Sequence, residues 1–133
     1  MSTKSYKRIF LYFIFIFLLF LIDRFSKLYV LNIAEATPEL DIYVSKFLNI
    51  YLIWNTGIGF GLFSSDNNII YNFITGLIII INIIIAAMLY LNHNYKSYFL
   101  VLILGGSTGN LFDRLYYSAV PDFIDFHINN FHW

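Results

Sequence analysis

Cysteine is absent from this chain and charge is scarce. The missing thiol excludes disulfides, thiolate metal sites and a cysteine nucleophile. Charged residues fill only 12% of the 133 positions, against roughly 25% in soluble domains. The eight basic and eight acidic side chains cancel, so no electrostatic footprint for nucleic acid exists. Proline occurs twice, at Pro38 and Pro121, where it marks local turns, and no internal repeat is evident. Apolar residues make up 59% of the chain. A water-soluble protein of this length, one domain at most, cannot hide so much apolar surface. The composition is that of a membrane protein. The abundance of Ile, Asn, Tyr and Lys reads as compositional drift and carries no mechanism.

Three apolar stretches are expected to span the bilayer. The first covers about residues 9–30. Its uncharged part, Ile9 to Ile22, is fourteen residues, about 21 Å of helix against a hydrocarbon core of about 30 Å. The span must therefore include Asp23 and Lys27. No small-residue cleavage pattern follows it, so it reads as a retained helix rather than a signal peptide, with its charges at the far end. The second, residues 69–91, holds no charge, with Asn72 and Asn82 as polar guests. The third, about 98–116, ends near Asp113 and Arg114, and Gly105 and Gly109 give it the G-x-x-x-G spacing that lets helix backbones approach closely. Lys4, Lys7 and Arg8 precede the first span, and His93 and Lys96 lie between the second and third. The positive-inside rule places both regions inside, and hence 32–68 and everything after Tyr116 outside.

The outer segment has a pattern of its own. "IYVSKFLNIYLIWN", Ile42 to Asn55, is β-branched and aromatic, which predicts short strands. It runs into "NTGIGFGLF", with Gly57, Gly59 and Gly61 at every second position, a spacing that permits a bulge or a close approach by another backbone. Leu62 stands where a dinucleotide-binding loop would need its third glycine. This aromatic segment can lie on the membrane surface beside the outward helix ends.

Three constellations carry possible chemistry. In "DRFSK", Asp23 and Lys27 are spaced i, i+4 with the acid first, the better order for a helical ion pair. They either snorkel and neutralise one another or serve a function inside the membrane. In "GNLFDR", Asn110, Asp113 and Arg114 share a helical face, as a polar helix end or as a shell that orients a reacting group. In "VPDFIDF", Asp122 sits among apolar neighbours with no basic residue nearby in sequence. Desolvation there favours a protonated carboxyl, suited to acid–base work; a loop with two solvated acids is the bland alternative. A strand would put Asp122 and Asp125 on opposite faces, and a helix on one. His93, His127 and His132 form no helical pair at metal spacing, and no Ser/His/Asp set collects on one side of the membrane.

"DRFSK", "NTGIGFGLF", "GGSTGNLFDR" and "VPDFIDF" together resemble, in order and spacing, the lipoprotein signal peptidases (signal peptidase II), and the resemblance runs from Asp23 to Trp133. It implies a bacterial inner-membrane aspartic peptidase that removes the signal peptide from diacylglyceryl-modified prolipoproteins at the outer edge of the bilayer. The implied fold is an all-α polytopic membrane protein, a helical bundle of usually four helices with a small extracytoplasmic β-cradle. Here 1–133 would be a single membrane domain holding three spans. The resemblance makes Asp122 one of two catalytic aspartates. Asn110, Asp113 and Arg114 match polar support of the site, Asn55 and Gly57 match the cradle, and Asp23 and Lys27 match a charged pair in the first helix. No metal or organic cofactor is implied; the partners are lipid-modified prolipoproteins and membrane lipid. The family's second aspartate lies in an "FN-x-AD" stretch opening a fourth helix, and this sequence stops at "NNFHW". The expectations are a chain lacking that C-terminal helix, a substitute carboxyl at Asp113 or Asp125, or an inactive relative that only binds lipidated peptides.

Overall fold

The computed structural model describes residues 3–37, 40–58, 68–91, 94–128 and 131–132. Helix α1 (Thr3–Ala36) contains no glycine or proline in its 34 residues. A helix satisfies its backbone groups within one segment, as lipid requires. Its end is tied down where the Thr37 amide and hydroxyl both donate to the Ile33 carbonyl, at 3.1 and 2.8 Å. Because α1 continues to Ala36, Asp23 and Lys27 lie inside it rather than at its far end.

Strands β1 (Asp41–Ser45) and β2 (Leu48–Asn55) form the expected strands as an antiparallel hairpin, closed by Lys46 and Phe47 with Ser45 opposite Leu48. Helices α2 (Asn68–Leu91) and α3 (Ser97–Tyr117) follow. The chain then returns to the sheet as β3 (Val120–Ile128), antiparallel to β2 from Asn55 opposite Val120 to Leu48 opposite Phe126. A short β4 (Phe131–His132) completes the order β1-β2-β3-β4. The description all-α is therefore too coarse, since segments on either side of α2 and α3 meet in one sheet. Pro121 is not at a turn but within β3, fully buried and opposite Trp54. β4 pairs only with His127 and Ile128, so at Pro121 that edge of β3 needs no amide donor. The turn lies just before it, at Ser118, whose φ of 58° is left-handed.

Helix α3 packs against both α1 and α2, which touch each other little. A small core of Tyr12, Leu89, Val101 and Leu104 joins all three. Small residues set the α1–α3 seam: a Cβ on Gly105 would lie 2.6 Å from Leu19 Cδ1, and one on Gly109 would lie 2.7 Å from Asp23 Cγ. Phe13, Phe17, Ile22, Phe25 and Tyr29 on α1, and Phe73, Ile80 and Ile83 on α2, point outward and exposed. An apolar belt of that extent marks a surface made for lipid. Over Tyr6–Ala36 and Asn68–Leu91 the helices are long and apolar enough to cross a membrane. Among the described residues α3 is not a third: its 21 residues suffice in length, but "GGSTGN" and Asp113–Arg114 dilute their hydropathy.

Candidate active site at the helix ends

The DRFSK turn of α1 faces the GNLFDR turn of α3, and between them lies a buried charge cluster. Lys27, 5% exposed, donates to Asp113 Oδ2 at 2.6 Å and to Asn110 Oδ1 at 2.8 Å, and lies 2.8 Å from Asp23 Oδ1. The anticipated i, i+4 pair therefore exists, but Lys27 turns inward to α3 and does not snorkel. Arg24, which the sequence reading passed over, approaches Asp113 Oδ1 at 2.5 Å and Asp23 Oδ2 at 3.1 Å. Its contact with Asp113 is an ion pair without a directed hydrogen bond. Three ionisable residues inside one turn of an apolar helix were the signal for it. Asp113 is 0% exposed and held by two cations, so the four charges sum to zero. That balance is what allows them to be buried at all, because removing one member would strand the others out of water.

Asp113 and Arg114 do not support one another. Successive helical residues point about 100° apart, so Asp113 faces α1 while Arg114 turns to α2 and the sheet. Arg114, 4% exposed, lies over the Tyr71 ring at 5.3 Å and donates to the Thr56 carbonyl at 3.4 Å. Among the described residues it has no carboxylate partner. Asn110 is likewise bound to Lys27, with neither Asp113 nor Arg114 as its hydrogen-bond partner.

The cradle is built around Asn55. Its Oδ1 accepts from the Gly57 amide at 2.8 Å, an Asx turn, and its Nδ2 donates to the Ile58 carbonyl at 3.0 Å and to Asp122 Oδ2 at 2.8 Å. With its amide fully committed, Asn55 is a fixed arm that aims one oxygen of Asp122. Gly59 and Gly61 lie outside the described residues. β3 alternates as a strand, putting Asp122, Ile124 and Phe126 on one face and Asp125 and His127 on the other, where they stand 3.3 Å apart. Among the described residues Asp122 is exposed, so the desolvation anticipated from its sequence neighbours is not supplied by their side chains. Those neighbours alternate away from it or stand beside it facing outward. Thr56, Tyr71 and Arg24 complete the site beyond the residues singled out from sequence.

The fold and site thus define a membrane protein that gathers charge and one presented carboxylate where its helices meet a small sheet. A sequence model of the family described as signal peptidase (SPase) II matches residues 15–133. A lipoprotein signal peptidase of Pelagibacter ubique is 50% identical over 133 residues, covering 100% of this chain and 80% of that protein. One from Thermodesulfovibrio yellowstonii is 36% identical, covering 100% of this chain and 84% of its own. A bacterial membrane enzyme solved by the in meso method has the same fold, with a TM-score of 0.71 at 24% identity over 90% of this chain and 72% of that one. The chain belongs to the signal peptidase II family, the lipoprotein signal peptidases. It is a protease of that type, and an inactive relative is not the favoured reading.

Proposed function

We propose that this protein cuts the signal peptide from diacylglyceryl-modified prolipoproteins by aspartic-type hydrolysis, with Asp122 as one of two catalytic carboxyls. The observation that carries the assignment is the Asn55–Asp122 contact of 2.8 Å, which fixes Oδ2 and leaves Oδ1 without a partner among the described residues. An aspartic peptidase needs one carboxylate to take a proton from water while a second, protonated carboxyl donates to the scissile carbonyl. The hydroxide equivalent adds to the carbonyl carbon, and collapse of the tetrahedral species releases the amine with a proton returned to it. Asp23 and Asp113 are tied to Lys27 and Arg24, and Asp125 lies on the far face of β3 beside His127. None of the three is free to be the second carboxyl.

The remaining site residues act as support. Asn55 and Gly57 aim Asp122; Asp23, Lys27, Asn110 and Asp113 lock α1 to α3; Arg114 steadies the cradle through Thr56. The domain is read as three spans, about 9–30, 69–91 and 98–116, in the bacterial cytoplasmic membrane. Its N-terminus is inside, 32–68 is outside, and the site is at the outer edge, where a lipid-anchored peptide would be presented. There Ile53 and Ile124, exposed beside Asp122, meet lipid, and substrate binding supplies the desolvation the chain alone does not. The test is cleavage of a lipid-modified prolipoprotein in membranes carrying the protein. Asp122→Asn is expected to abolish it and Asp125→Asn to leave most of it. Unchanged cleavage in Asp122→Asn would overturn the assignment.

A further inference from the structure

We infer that Tyr71, on the first turn of α2, is a positioning residue for this site, acting through Arg114. The inference rests on the catalytic reading of Asp122 given above. Tyr71 touches Arg114 twice. Its hydroxyl donates to the Arg114 carbonyl at 2.7 Å, and its ring lies under the guanidinium, 5.3 Å from ring centre to Cζ. Each contact leads to Asp122 by a separate route.

The first route is the backbone. Arg114 begins the last four residues of α3, whose carbonyls have no partner within the helix. Tyr71 satisfies one of these from a neighbouring helix. Immediately beyond, Ser118 takes the left-handed conformation (φ 58°, ψ 17°) that turns the chain into β3, with Ala119, Val120 and Pro121 buried and Asp122 next. Pinning the Arg114 carbonyl therefore fixes the direction in which the chain leaves α3 four residues before β3 delivers the carboxylate.

The second route is the side chain. Arg114 is 4% exposed and without an ion pair among the described residues, an arrangement that needs compensation. The Tyr71 ring face supplies part of it. Held over that ring, the guanidinium reaches the Thr56 carbonyl at 3.4 Å, a long hydrogen bond, immediately after the Asn55 that orients Asp122. Tyr71, Arg114, Thr56, Asn55 and Asp122 thus form one relay from α2 to the carboxylate.

A tyrosine that merely caps α3 would change stability alone, so the test separates the two roles. Tyr71→Phe keeps the ring and removes the donor; Tyr71→Leu removes both. Prolipoprotein cleavage in Tyr71→Phe is expected to lose about tenfold in kcat with KM held within about twofold, and Tyr71→Leu more. In an Arg114→Ala background, Tyr71→Phe should still cost its full factor, because the backbone carbonyl it bonds remains, whereas the further step from Phe to Leu, which removes the ring under the guanidinium, should cost less than about twofold. A second readout needs no catalysis. Phenylglyoxal labelling of Arg114, read by mass spectrometry against Arg24 in the same chain, should rise about threefold in Tyr71→Leu, where the covering ring is gone, while Arg24 stays constant. A step from Phe to Leu that is fully additive with Arg114→Ala, or unchanged kcat in Tyr71→Phe with unchanged labelling in Tyr71→Leu, would reduce Tyr71 to a helix cap. If Asp122→Asn still cleaves, the catalytic reading fails on its own, and the labelling still decides whether Tyr71 holds Arg114.

Discussion

Replacing Gly109 by alanine tests the helix seam on which the site rests. The added Cβ would overlap a carboxylate oxygen of Asp23 and stand 2.7 Å from its Cγ. Asp23 cannot simply swing aside, because Lys27 holds it at 2.8 Å and Arg24 at 3.1 Å. Relief requires α1 and α3 to separate or those pairs to loosen. Overpacking of this kind costs about 1–3 kcal/mol. Loosened pairs add about 1 kcal/mol at most, since Asp23 is partly exposed. Alanine's better helix propensity offsets about 1 kcal/mol. The net loss is up to about 3 kcal/mol, which for a chain of this length lowers Tm by up to about 10 °C. Gly106→Ala is the control, because nothing lies within 4 Å of a Cβ there. Thermal unfolding in detergent, followed by circular dichroism, should show Gly109→Ala melting well below the parent and Gly106→Ala at or slightly above it. Gly105→Ala should fall with Gly109→Ala, as its Cβ would meet Leu19. A Gly109→Ala variant as stable as Gly106→Ala would refute the close-packed seam.

Lys27→Ala should cost about 3–5 kcal/mol by leaving Asp113 and Asp23 with one cation between them. The protein level in membranes should fall, and pairing the change with Asp113→Asn should recover part of it; normal abundance with lost cleavage would assign Lys27 to substrate instead. Asn82, 8% exposed in α2, has neither amide atom satisfied among the described residues. Asn82→Leu should therefore raise Tm by removing about 1–2 kcal/mol of unpaired polar burial, and a fall of similar size would reveal a partner for it. For topology, Asp66→Cys should react with an impermeant thiol reagent in intact spheroplasts and Asn94→Cys should not; the reverse pattern would invert the orientation.

The local elements of this fold were legible because their causes are local. The β-branched run from Ile42 to Asn55 reads as strands and forms them, and the uncharged 69–91 stretch reads as a helix and forms one. β3 was harder. "VPDFIDF" fits a strand or a helix in isolation, and only pairing with β2, about seventy residues earlier, decides between them. That pairing also places Asp122 and Asp125 on opposite faces. The shared helical face expected of Asp113 and Arg114 misled, because these neighbours in sequence turn to different partners. The partners of Arg24 and Tyr71 were not legible, because each depends on how helices distant in sequence pack. Asn55 and Asp122 could be named as site residues by resemblance, but their 2.8 Å contact required the sheet.

The charge cluster also bears on how the chain is made. Lys27 and Asp113 are 86 residues apart. At roughly 5–20 residues per second, about 4–17 s of synthesis separate them. Throughout that interval α1 holds Asp23, Arg24 and Lys27 with one positive charge in excess, and an unmatched cation at the centre of a bilayer helix costs about 2.5–3.5 kcal/mol. Until α3 is made, the excess charge on that turn has no partner within α1. The balance that lets that turn be buried comes only with Asp113 on α3, so the last helix of this trio completes the burial of the first.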